Sequence, residues 1–193
     1  MKRMQRIPVL ALMLLALAIT GCSPRGDSSA LSLIKEANRH VGEQIKDQVS
    51  QIRSEKSVGS LTPNVWYVVY YDPDATFKAT EVKFAAGQKL EVTRPLRLLE
   101  RGMGNYKPLD RSKVKVDSDR AIKVALGEPI LKSVKVTATQ LWLQHGDLGP
   151  EWKVRLWATK LRNPTEDADI GEVYIASDTG KVIRTDLHIN SVD

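Results

Sequence analysis

Leu33, Ile34, Ala37, Val41, Ile45, Val49 and Ile52 recur at steps of three and four after the first pair. That spacing is the apolar stripe of an amphipathic helix, and it predicts one long helix over about residues 30–55. Ser28 or Ser29 is placed to cap its start, and Gly59 follows its expected end. His40 lies off the stripe and is expected to be solvated. The pattern then changes. Trp66 to Tyr71 is β-branched and aromatic, the composition that suits a pleated surface, and Asp72-Pro73-Asp74 marks the turn after it. Ala79 to Ala85 and Lys89 to Thr93 read as a hairpin around Ala86-Gly87-Gln88. Pro95 starts or edges a further extended piece, and residues 101–105 read as loop.

A second helix is expected near Ser118, capped by Asp117 or Ser118, with Asp119 at its positive end. Ala121, Ile122, Ala125 and Leu126 form its buried face, and Gly127 with Pro129 stops it. Strands follow at Val134–Thr139 and Gln140–Gln144, as one long strand with a bend or as two, then at Trp152–Ala158, Glu172–Ala176 and Lys181–Asp186. The connections between them are a loop at His145–Pro150, an acidic loop at Thr165–Asp169 and a turn at Ser177–Gly180.

The two halves echo each other. Ile34-Lys35-x-Ala37 matches Ile122-Lys123-x-Ala125, 88 residues on; Trp66-x-Val68 matches Trp152-x-Val154, 86 on; Glu81-Val82-x-Phe84-Ala85 matches Glu172-Val173-x-Ile175-Ala176, 91 on. The shared order and near-constant offset predict an α+β fold of two tandem units, residues 31–110 and 111–193, each a helix packed on an antiparallel β-meander. Units of this size are near the lower limit for an independent core, so the two are expected to share an interface.

The first 21 residues change the charge picture. The full chain carries 29 basic and 23 acidic side chains, a net of +6, but Lys2, Arg3 and Arg6 all fall in this segment. Without it, 26 basic residues face 23 acidic ones, spread along the chain rather than clustered. The densest cationic stretch, Arg94 to Arg101, is interleaved with apolar residues, so nucleic acid is not an expected partner. After the basic flank, Ile7 to Ile19 is apolar apart from Pro8, too short to span a bilayer comfortably, and it ends in Ile19-Thr20-Gly21-Cys22. This segment resembles the signal peptide and lipobox of bacterial lipoproteins. The resemblance implies cleavage before Cys22, the chain's single cysteine, and membrane anchoring through lipid on its thiol. Residues 22–30 would form a tether, with Arg25-Gly26-Asp27 as linker rather than an adhesion motif. Ser23 stands where inner-membrane retention signals of that family usually place Asp, which implies an outer-membrane, periplasm-facing address in a Gram-negative envelope.

The second half is similar to the PepSY domain. The likeness rests on Asp119 to Leu126 of the helix, Trp152-Lys153-Val154-Arg155-Leu156, and the hairpin Glu172 to Ile183 around Asp178-Thr179-Gly180. It covers roughly residues 111–186, and the first half would be a diverged copy. PepSY domains occur in metalloprotease propeptides and envelope proteins. The resemblance therefore implies a non-catalytic module, one that binds a protein or peptide or one that regulates a peptidase. Alternatives are a structural or assembly lipoprotein and a small-ligand binder.

Motifs for catalysis are missing. His40, His145 and His188 share no metal-pair spacing, one cysteine cannot build a multi-cysteine site, and no nucleophile elbow, Walker loop or His-Glu-x-x-His occurs. No cofactor and no enzyme activity are expected. Glu166, Asp167, Asp169 and Glu172 are the densest acidic cluster, and Asp167-x-Asp169-x-Gly171 within it faintly echoes a calcium loop, but Asp178 stands where the terminal Glu is needed. Aromatics on both faces of Trp66–Tyr71, and Trp157 opposite Trp152, leave two options. Either the second face packs against the other unit, or Trp66, Tyr71 and Trp157 form an aromatic partner-binding surface.

Overall fold

The computed structural model describes residues 29–94 and 107–192. Cys22, the lipobox, Ser28, the Arg25-Gly26-Asp27 tripeptide, Pro95 and the loop at 101–105 lie outside the described residues. Among the described residues two α-helices, α1 (Ala30–Ala37) and α2 (Ser118–Leu126), accompany eight strands. These are β1 (Val49–Ser54), β2 (Val65–Tyr71), β3 (Ala79–Ala85), β4 (Gln88–Thr93), β5 (Val136–Gly146), β6 (Gly149–Thr159), β7 (Asp167–Ala176) and β8 (Val182–Leu187). All pair antiparallel in one sheet, in the order β4-β3-β2-β1-β5-β6-β7-β8. Each half is thus a helix followed by a four-stranded meander, and β1 and β5 join the meanders edge to edge.

The long helix expected over 30–55 is not formed. Its periodic residues are shared between α1, a short 3-10 turn at Glu43–Ile45 and strand β1. Asp47, at φ 61°, reverses the chain between them. Leu33, Ile34, Ala37, Ile45, Val49 and Ile52 are nonetheless all buried. Their spacing serves one core from three elements, because a strand that begins after a turn can keep facing the same side. His40 contacts Glu36 at 3.2 Å and is only partly exposed, rather than fully solvated.

The two halves also share one core rather than packing face to face. Ile34 and Ala37 of α1 and Ile122 and Ala125 of α2 belong to a single buried cluster with Val68, Phe84, Leu141, Trp152 and Ile175. Burying the Ile, Val, Leu and Phe side chains among them contributes about 1.5–3 kcal/mol each. The helix starts meet each other. Leu31 N–H and Ser118 N–H both donate to Asp117 Oδ1, at 3.1 and 2.7 Å, and Ala30 N–H donates to Ser118 Oγ at 3.1 Å. Two positive helix ends abutting would repel; the Asp117 carboxylate between them offsets that, by about 0.3–1 kcal/mol per end.

Tight backbone geometry closes the hairpins. Ala86 and Gly87 turn β3 into β4 with φ of 48° and 73°, the positive pair that matches strand twist. The loop expected at His145–Pro150 is instead mostly strand, since β5 and β6 stay paired through Gly146↔Gly149. In β7, Gly171 has φ +102°, and a Cβ there would collide with the Asp186 carbonyl oxygen of β8. Asp72, after β2, is fully buried. It accepts from Thr80 Oγ1 at 2.6 Å and Asp74 N–H at 3.0 Å, and pairs with Arg94 Nε at 3.2 Å. Burial alone would raise its pKa, but these donors outweigh it and hold the carboxyl below its usual value.

Two predictions follow from this backbone. Gly171→Ala will lose roughly 2–4 kcal/mol in urea unfolding, while Gly59→Ala, which has open space around its Cβ, will lose about 1 kcal/mol. Because the folded pKa of Asp72 is lowered, its stabilisation is present above the ordinary value of about 3.9 and disappears as pH falls through the folded value. Asp72→Asn will therefore be less stable than wild type by about 1–3 kcal/mol near neutral pH, with the gap closing in acid unfolding titrations.

Candidate functional site

Alternation along the strands sends Trp66, Val68, Phe84, Leu141, Trp152, Val154 and Ile175 into the core. The residues between them point to the opposite face of the sheet, away from the helices. The strand registers align one row across all eight strands: Glu91, Lys83, Tyr67, Arg53, Trp142, Lys153, Tyr174 and Arg184. From Lys83 to Arg184 the row alternates cation and aromatic ring. Arg53 lies 4.1 Å and Lys83 5.2 Å from the Tyr67 ring centre, Lys153 4.2 Å from Trp142, and Arg184 3.9 Å from Tyr174.

Acids pair with three of these cations. Arg53 pairs with Glu81 at 2.7 Å, Lys153 with Glu172 at 3.5 Å and Lys83 with Glu55 at 3.7 Å. Arg155 pairs with Asp169 and its guanidinium lies 5.5 Å from the Trp157 ring, with Lys56 Nζ 4.7 Å from the same ring. The phenols are engaged as well: Tyr67 donates to Glu55 at 2.5 Å and Tyr174 to Glu172 at 2.6 Å. Partial burial and those carboxylate acceptors raise both phenol pKa values. The face is therefore a lattice of stacked and paired groups, with Arg53 and Glu81 only 17% and 10% exposed at their side chains.

The sequence-derived candidates separate on this geometry. Trp66 is buried, its Nε1 donating to Pro63 O at 2.9 Å. It occupies the place in β2 that Trp152 occupies in β6, where Nε1 donates to Val116 O at 2.8 Å. Tyr71 and Trp157 are half-buried on the outer face. The second face does not pack against strands of the other half, as one option required, because the strands of both halves lie side by side in one sheet. The acidic cluster is dispersed into separate contacts: Glu166 with Lys160 at 2.8 Å, Asp167 with Lys56 at 3.5 Å, and Asp169 and Glu172 as above. His145 Nε2 lies 2.7 Å from Lys107 O, and His188 Nε2 lies 3.0 Å from Asp186, so neither meets the acidic loop. Among the described residues no group of His, Cys, Asp and Glu is placed to hold a metal ion.

Sequence reasoning missed two features. One is the row itself. The other is which strands form the open edges of the sheet: among the described residues these are β4 and β8, exposed almost throughout, with Leu90, Val92, Val182 and Ile183 their exposed large apolar side chains. An open edge presents unpaired backbone donors and acceptors to another strand. An open cleft of about 590 Å³ also lies between residues 56–61 and the start of β5, with Lys56, Lys135 and Asp167 in its lining.

The stacked row yields a stability prediction. A double-mutant cycle of Trp142→Leu and Lys153→Met will give a coupling of about 0.5–1 kcal/mol in denaturant unfolding, and the coupling will persist in salt better than a surface ion pair. Comparison of the chain with protein-family models, curated proteins and solved structures found no match.

Proposed function

We propose that the chain is a lipid-anchored protein of the bacterial cell envelope, held through Cys22, with two tandem PepSY-like units. In this role it binds a protein or peptide at the membrane surface and restrains a peptidase, without chemistry of its own. The observation that carries the binding role is the open edge strand β4, exposed along its length with Leu90 and Val92 uncovered. An extended peptide can add to such an edge through main-chain hydrogen bonds, with alternate side chains supplying selectivity.

Support for the duplicated construction comes from matched irregularities. Each half runs helix, then four-stranded meander. The bulge between Lys83 and Phe84 in the β3–β4 pairing recurs between Tyr174 and Ile175 in the β7–β8 pairing, 91 residues on. This is the offset of the Glu-Val motif in the same strands. Bulges are specified features of a strand pair, so their recurrence at one offset favours a common unit.

Two measurements test the proposal. Cys22→Ser will move the protein from the membrane pellet to the soluble fraction; retention in the pellet would sink the anchor. The wild-type chain will enrich an envelope peptidase and lower its activity, whereas Leu90→Lys, which places a charge on the exposed edge, will reduce both effects at least about tenfold. Equal capture and inhibition by the two proteins would exclude β4 as the binding edge, and no inhibition by wild type would exclude the peptidase role.

A further inference from the structure

The second edge, β8, has a property that β4 lacks. The hydrogen bond from His188 N–H to Ile170 O, 2.8 Å, sets the alternation between β7 and β8. With Leu187 opposite Gly171, Asp186 opposite Glu172 and Arg184 opposite Tyr174, the backbone groups of Asp186 and Arg184 face β7. Those of Thr185 and Leu187 therefore face outward, where no strand lies among the described residues. Arg184 and Asp186 flank Thr185 and share the outer face, opposite Tyr174 and Glu172.

An antiparallel strand centred on Thr185 would thus meet Arg184 with its own residue at the 186 position, and Asp186 with its residue at the 184 position. Another copy of β8 supplies the needed signs twice. Thr185 would face its own equivalent as a hydrogen-bonded pair, using the outward backbone groups, and Thr–Thr is a favourable cross-strand pair. In β4 the same logic fails. Lys89 lies opposite Phe84 and Glu91 opposite Lys83, so the bulge between them puts that lysine and glutamate on opposite faces.

From this self-complementarity we infer that β8 is a homodimer edge, pairing antiparallel with β8 of a second copy about a twofold axis through Thr185. The product is a continuous sixteen-stranded sheet. At the seam, the cation–aromatic row of one copy ends in Arg184 and meets Asp186 of the other, so the cation finds an acid where the row would otherwise stop in water. Closed twofold pairing of one edge also leaves β4 free on both copies. The inference stands apart from partner binding at β4: a monomeric chain would keep that edge, and a dimer would not require a partner.

The test uses the full chain in detergent, read by analytical ultracentrifugation. Wild type should sediment as a dimer at high micromolar concentration. Arg184→Asp and Asp186→Arg should each raise the dissociation constant at least about tenfold, and the double swap should restore it to within about threefold. Thr185→Pro should give a monomer with a melting temperature within about 4 °C of wild type, since the lost N–H faces outward rather than toward β7. Thr185→Cys in a Cys22→Ser background should form a disulfide dimer under mild oxidation, because the Cα separation of such a pair, about 5.5 Å, lies within disulfide range. Leu90→Cys in that background should not. A monomeric wild type, a double swap as weak as the single ones, a dimeric Thr185→Pro protein, or cross-linking through Leu90→Cys instead would each overturn the inference.

Discussion

Everything in this molecule hangs on the join between β1 and β5. The two strands align at only two registers, Ile52 with Leu143 and Arg53 with Trp142. Side chains extend the join beyond them. Ser54 Oγ accepts from Leu141 N–H at 2.9 Å, Gln140 Nε2 donates to Ser54 O at 3.0 Å, and Ser57 Oγ accepts from Thr139 N–H at 2.9 Å. Ser54, Ser57 and Thr139 are buried, so these bonds satisfy groups that would be costly to leave unpaired in the core. The helix starts meet at Asp117, and at the seam Arg53 and Trp142 stand side by side in the stacked row. Without this seam there would be two four-stranded meanders, each with one helix and an uncovered edge.

Much of the strand architecture was legible in the sequence because the local signals agreed. Trp66 to Tyr71, Ala79 to Ala85 and Ala86-Gly87 combine strand-forming side chains with a turn that needs positive φ, and the structure places them as expected. The 30–55 helix failed for an instructive reason. A period of three to four residues identifies a buried face, but buried faces of a helix, a turn and a strand can be set in phase. Val49 and Ile52 fit the helical stripe by spacing, while Gln51 and Arg53, on either side of Ile52, are half-buried on the other side of a strand. Conversely, Gly146 and Gly149 read as loop by composition, yet the β5–β6 hairpin continues through them.

The outer face was not legible because no local pattern encodes it. Each strand contributes one residue of the row, and neighbours in space stand as far apart in sequence as Arg53 and Trp142. Their meeting depends on register, which is fixed only once the core faces are buried. The aromatic excess was visible; its pairing with Arg53, Lys83, Lys153 and Arg184 was not. The same gap explains Trp66. Its composition suggested an interface anchor, whereas its parity in β2 makes it a core residue with a satisfied indole N–H.

The placement of the seam also bears on how the chain reaches this state. Within each meander, consecutive strands pair through short connections, so those contacts close small loops at modest entropic cost. The β1–β5 registers and the Asp117 bridge link residues 86 to 91 positions apart. Contacts of that separation are the slow ones in chains of this size. Each half can therefore collapse on its own time, and docking of the halves becomes the late event that depends on both being formed. A chain emerging in order would expose the β1 edge until β5 arrives, an interval in which another molecule's edge could take β5's place.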